Sequence, residues 1–101
     1  MDNKKIVIDA GHGGSDSGAV GNGIIEKDLT LKISKYISDR LRSLGADVTR
    51  TRDSDETLDP SERVRRVLNA YGNSKDVLVV SNHINAGGGE GQSVTNIKYN
   101  N

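Results

Sequence analysis

Asp76-Val77-Leu78-Val79-Val80-Ser81-Asn82-His83 holds the clearest strand in the chain, an apolar, largely β-branched run that ends on a histidine. A continuous run, rather than an alternating one, is what a strand covered on both faces requires, and a central place in a parallel sheet supplies that environment. Lys5-Ile6-Val7-Ile8-Asp9-Ala10 has the same character and also runs into a histidine, His12. Between them Leu29, Ile33, Ile37, Leu41 and Leu44 recur at helical spacing, which predicts a helix with one apolar face, stopped by Gly45. Asp47-Val48-Thr49-Arg50-Thr51-Arg52 alternates weakly and predicts a further strand. Asp59-Pro60-Ser61-Glu62 is a helix start, with Asp at the N-cap, Pro at the first position and Glu at the third. Val64, Val67, Leu68 and Tyr71 are expected to form the buried face of that helix, which Gly72-Asn73 ends. In the tail, Val94, Ile97 and Tyr99 fit a short edge strand. The order β-α-β-α-β makes this an α/β chain with a mostly parallel, twisted sheet and flanking helices, without repeats or linkers.

At 101 residues the chain is one domain, near the lower size limit for independent folding. Only 33% of residues are hydrophobic and there is no Phe or Trp, so the core is expected from Val, Ile, Leu, Ala and the three tyrosines. Lys plus Arg and Asp plus Glu number 14 each, so no global basic field favours a nucleic acid or an anionic membrane. With no cysteine, disulfide scaffolds, thiolate zinc sites and thiol nucleophiles are excluded. Met1-Asp2-Asn3-Lys4-Lys5 leads into an apolar run too short for a signal-peptide core or a membrane span.

Residues 11–23 hold six of the twelve glycines, a loop composition over a length that suggests function. His12 and His83 each follow a strand, and functional groups of α/β sheets gather at the carboxyl ends of strands. Glu26 opens the first helix after the glycine loop, which can fold it back toward His12. Two imidazoles and a carboxylate can bind Zn²⁺ with a fourth position open. Plainer readings stand beside this one. A histidine at a strand end is more often a hydrogen-bonded structural residue, and a glutamate in a first helical turn suits the helix dipole by itself. Gly11-His12-Gly13-Gly14 could instead cradle a phosphate, although it lacks the Lys-Ser/Thr of a P-loop. Arg50, Arg52, Arg63, Arg65 and Arg66 read as solvated faces, with Arg52-Asp53 a local ion pair of little weight.

Three ordered blocks resemble a known family. Ile8-Asp9-Ala10-Gly11-His12-Gly13-Gly14-Ser15-Asp16-Ser17-Gly18-Ala19, Gly23-Ile24-Ile25-Glu26-Lys27-Asp28-Leu29-Thr30-Leu31 and Ser81-Asn82-His83-Ile84-Asn85-Ala86 look like the zinc-dependent N-acetylmuramoyl-L-alanine amidases of the Amidase_3 type. Thr51-Arg52-Asp53 and Ser61-Glu62-Arg63 resemble segments between those blocks. The likeness runs from about Lys4 to about Gly91. It implies zinc held by His12, Glu26 and His83, and hydrolysis by metal-activated water of the amide joining N-acetylmuramic acid to L-alanine of the stem peptide. It also implies a further glutamate, later in the family domain, as general base. Gln92 to Asn101 does not resemble that continuation, and Glu90, the only acidic residue after His83, has the wrong loop context for the role. The expectation is therefore the N-terminal, metal-binding part of a catalytic domain over 1–101, ended early. Its substrate is peptidoglycan, and it acts at the cell wall after release by lysis or a holin-type route. The alternative is an impaired zinc- or muropeptide-binding fragment that assembles with, or regulates, a longer amidase through an uncovered sheet edge.

Overall fold

Strand β1 (Lys5–Ala10) occupies an interior position in a four-stranded sheet, with β4 (Asp47–Arg50) on one side and β5 (Val77–Asn82) on the other, both parallel to it. The computed structural model describes residues 4–72 and 76–84 and the backbone of 97–99. β6 (Ile97–Tyr99) pairs antiparallel with β5 and takes up the edge that β5 would otherwise present. Of the tail residues assigned to an edge strand, Ile97 and Tyr99 lie in β6, whereas Val94 falls outside the described residues. The expected α/β class, mostly parallel sheet and flanking helices all hold.

Both faces of β1 are covered, which is why its apolar run does not alternate. Ile6 and Ile8 point to one face, where with Ala46 and Val48 they form the core under Ile37 and Leu41 of helix α1 (Glu26–Ser43). On the other face Asp9 meets helix α2 (Pro60–Tyr71). α1 has no side-chain cap. Its first free N–H groups, on Glu26 and Lys27, donate to the carbonyls of Ala19 and Ser17 in the glycine loop. Its most deeply buried line is Glu26, Thr30, Ser34 and Ser38, one residue per turn. These side chains are small above Glu26, so the helix backbone comes close to the sheet. Leu29, Ile33, Ile37 and Leu41 flank that line half-buried, and Leu44, at the C-cap, is exposed.

α2 starts as its sequence predicts: Asp59 accepts a hydrogen bond from the Glu62 amide at 2.8 Å, with Pro60 at the first turn. Its buried face is only partly the expected one, since Val67 and Tyr71 turn inward and Val64 and Leu68 do not. Val64 is 57% exposed and Leu68 is also exposed, while the half-buried positions are Glu62, Arg63, Arg66, Val67, Ala70 and Tyr71. The inward stripe is turned about one residue, or 100°, from the apolar one. Its anchors are polar: Arg63 reaches Asp9, Arg66 reaches the Thr51 carbonyl, and the Tyr71 hydroxyl receives from Thr49 and donates to Asp47. The tyrosines contribute less core than composition suggests, since Tyr36 is exposed and Tyr71 half-buried; the side chain of Tyr99 lies outside the described residues.

The glycine loop contains structure its composition concealed. Val20–Gly21 (β2) and Ile24–Ile25 (β3) form a small hairpin. Asn22 and Gly23 at its tip have φ of 52° and 76°, the left-handed pair of a two-residue hairpin turn. The Asn-Gly dipeptide was the available signal.

Candidate metal centre

The register of β1 on β5 sets Ala10 opposite Asn82, and the Gly11 amide continues the ladder to the Asn82 carbonyl at 2.9 Å. His12 and His83 therefore leave the same edge of the sheet. Their rings stand edge to face with centroids 5.2 Å apart. Gly11 makes this approach possible: a Cβ there would lie 2.6 Å from Cε1 and Nδ1 of His83. Gly18, at φ 67°, does the same for the other ring, since a Cβ would lie 2.6 Å from His12 Cδ2 and 2.8 Å from Glu26 Oε1. His12 is itself left-handed, at φ 64°, a conformation that histidine visits more readily than most residues.

Glu26 is placed by the hairpin. Its amide donates to the Ala19 carbonyl, and the Ala19 amide returns a bond to Glu26 Oε1, both at 2.9 Å. The side chain is consequently buried, with Oε2 turned to the histidines: 3.1 Å from His12 Nε2 and 3.8 Å from His83 Nδ1. The Ile84 amide also donates to Oε2, at 2.9 Å. Burial pushes the Glu26 carboxyl up, but the Ala19 and Ile84 N–H groups and the two imidazoles outweigh it and hold the group below its ordinary value.

His12 Nδ1 lies 2.9 Å from Asp16 Oδ2, and Asp16 Oδ1 accepts the Gly18 amide. The histidine bond holds the Asp16 carboxyl low. A carboxylate at Nδ1 suits a proton on that nitrogen, the arrangement that would leave Nε2 available to a metal ion. The three donors His12, Glu26 and His83 offer ligand atoms within 4.8 Å of one another. Tetrahedral ligands at ordinary Zn–N and Zn–O distances stand about 3.3 Å apart. The 3.1 and 3.8 Å separations of the carboxylate from the two imidazoles bracket that value, so the donor types and the spacing about Glu26 suit a small divalent ion.

The phosphate reading does not survive this geometry. The Gly13 amide donates to the Asp16 carbonyl, Gly14 to Asp55 Oδ1 at 2.7 Å and Ser15 to Thr57 Oγ1 at 2.9 Å. The amides a phosphate would need are engaged, and by a carboxylate among others. The arginines also differ from expectation. Arg52 is 2% exposed, Arg63 binds buried Asp9, and it is Arg50, not Arg52, that pairs with Asp53. Arg65, by contrast, is exposed and pairs with Glu62, in keeping with a solvated face. Asp16, Arg52 and Arg63 are the residues around this site that composition did not reveal. For Asp16 the signal was present, a carboxylate four residues after a histidine in one tight loop. Glu90, Asn85 and Ala86 lie outside the described residues.

Comparison with known proteins gives the family. Residues 6–100 match Amidase_3, N-acetylmuramoyl-L-alanine amidase. A germination-specific N-acetylmuramoyl-L-alanine amidase of Bacillus subtilis strain 168 is 38% identical over 96 residues, covering 85% of this chain and 40% of that protein. An endolysin of Bacillus phage SPP1 is 48% identical over 90 residues, covering 87% of this chain and 32% of its own length. Among solved structures, the amidase AmiC2 of Nostoc punctiforme superposes with a TM-score of 0.70 at 37% identity, covering 84% of this chain and 46% of that one. The chain thus spans less than half of each of these relatives.

Proposed function

This chain belongs to the Amidase_3 family of N-acetylmuramoyl-L-alanine amidases, and we propose that residues 1–101 are the N-terminal, metal-binding part of such a catalytic domain, with zinc held by His12, Glu26 and His83. The proposed substrate is peptidoglycan, cleaved at the amide between N-acetylmuramic acid and the L-alanine of the stem peptide. The observation that carries the reading is the convergence of one carboxylate oxygen on two imidazole nitrogens, at 3.1 and 3.8 Å, where two parallel strands end. When bound, Zn²⁺ supplies Lewis acidity toward the amide carbonyl and makes water a competent nucleophile near neutral pH.

The protein's own groups prepare that chemistry. Glu26 is held ionised by two amides, so it presents Oε2 without reorganising. Asp16, at 2.9 Å from His12 Nδ1, is placed to accept a proton from that nitrogen when Nε2 binds the metal. Gly11 and Gly18 leave the space into which the rings close. The general base is expected from a later glutamate of the family domain; no role is assigned to Glu90. The place of action is the cell wall. Zero net charge gives no support to a nucleic-acid partner, and no helix among the described residues is long and apolar enough to cross a membrane.

Elemental mass spectrometry of the purified chain beside His83→Ala tests the site. About one zinc per chain, lost in the variant, is the expected result; zinc retained by the variant refutes the ligand set. Release of stem peptide from purified peptidoglycan by the zinc-loaded chain then tests catalysis. Stoichiometric zinc with no release would leave the muropeptide-binding fragment as the better description.

A further inference from the structure

We propose that Arg52 is a positioning residue for the metal centre, setting the separation of His12 from Glu26 through the main chain. The inference rests on the metal reading above and goes beyond its ligands.

Arg52 is buried, yet among the described residues its hydrogen bonds go to carbonyls and a hydroxyl and not to a carboxylate. Nε donates to the Ala10 carbonyl at 3.2 Å. Nη2 donates to the carbonyls of Gly11 at 3.0 Å and Lys27 at 2.9 Å, and approaches Thr30 Oγ1 at 3.3 Å. Nη1 donates to the Ser54 carbonyl at 2.9 Å. Ala10 and Gly11 lead into His12, and Lys27 follows Glu26. One planar guanidinium thus ties the segment before one ligand to the segment after another. Thr30 closes the same bridge from the helix side, its hydroxyl donating to the Gly11 carbonyl at 2.8 Å. From α2, Arg63 takes the carbonyls of Ala10 at 2.8 Å and His12 at 3.0 Å, so all three carbonyls from Ala10 to His12 are held by guanidinium groups.

A buried cation bound to neutral oxygens is a costly way to hold a fold together. Burial and the neighbouring Arg63 push the Arg52 guanidinium down, against Asp55, Asp9 and Glu56. What the fork geometry provides, and a lysine cannot, is several donors at fixed angles from one rigid plane. Arg52 also carries positive charge near a site proposed for a dication. Coulomb repulsion alone says that removing its charge tightens zinc, whereas the positioning role says that removal weakens it. The two effects have opposite signs, and the experiment reads the sign.

Zinc affinity is measured by chelator competition for the wild-type chain, Arg52→Lys and Arg52→Gln, with the visible absorption of the Co²⁺-substituted forms and the far-ultraviolet circular dichroism of the metal-free forms. The expected result is a zinc Kd raised about 10- to 100-fold in both variants, the range for groups that orient ligands from outside the coordination shell. An altered Co²⁺ spectrum and an unchanged metal-free fold accompany it. Folded variants with wild-type affinity and Co²⁺ spectrum, or tighter zinc in Arg52→Gln, overturn the inference and leave the metal site standing. If neither arginine variant folds, Thr30→Val decides on the same readouts, since it cuts the bridge at Gly11 without touching a charge. A wild-type chain that binds no zinc overturns the metal reading itself.

Discussion

α1 and α2 lie on opposite faces of β1 and are seated by different means. α1 presents Thr30, Ser34 and Ser38, all fully buried, and packs Ile37 and Leu41 onto Ile6, Ile8, Ala46 and Val48. α2 buries no residue fully and is held by Arg63, Arg66 and Tyr71. Shape fixes the first helix, and polar contacts to Asp9, Asp47, Thr49 and the strand-end carbonyls fix the second. The donor Glu26 heads the buried line of the first helix, whereas the second helix supplies no donor and instead reaches the carbonyls of Ala10 and His12 through Arg63.

That contrast can be broken most severely at Arg63. Arg63→Met leaves Asp9 buried without its cation, and a loss of about 3 kcal/mol is expected in urea unfolding at neutral pH. The pH dependence gives the sign. Burial pushes the Asp9 carboxyl up, but Arg63, Thr51 and Ser81 together hold it below its ordinary 3.8. A lowered folded-state pKa contributes stability that is present above the unfolded value and lost as pH falls through the folded one. The wild type should therefore weaken below about pH 4, and the gap to Arg63→Met should narrow over that range. A gap that stays constant on acidification would show that Asp9 is not the partner that matters.

On the other face the sensitive variable is volume. Ser34→Leu forces a large side chain into the close helix–sheet contact and should cost about 1–3 kcal/mol, read from the same unfolding curves. Asp59→Ala removes the cap of α2 and should lower its Tm by roughly a few degrees. The smallest effect sharpens the comparison most. Val64→Ser should change stability by less than about 0.5 kcal/mol, because Val64 is exposed. A loss of about 2 kcal/mol would instead turn α2 back to its apolar stripe.

The strands of the four-stranded sheet, the capped start of α2 and the convergence of His12, Glu26 and His83 were legible, because β-branched runs, capping residues and histidines next to glycines are signals in residue type, whereas the β2–β3 hairpin reads as loop. What it could not carry is where a polar side chain finds its acceptor. Arg52 bonds to main-chain carbonyls of Ala10, Gly11, Lys27 and Ser54, and every residue has a carbonyl. α2 was misread because counting apolar residues assumes that apolar contacts decide which face turns in; here Arg63 and Arg66 do. In α1 the same counting found Ile37 and Leu41 but missed the serines between them, whose smallness is what brings the helix down.

Asp9 gathers Thr51, Arg63 and Ser81 from 42, 54 and 72 residues further along the chain. No two strands of the parallel set that touch are joined by a short turn, so each pairing must wait for a long loop to close. Folding is therefore expected to be slow for a chain of this length, with α1 formed early from local contacts and the strand-end cluster among the last parts to assemble.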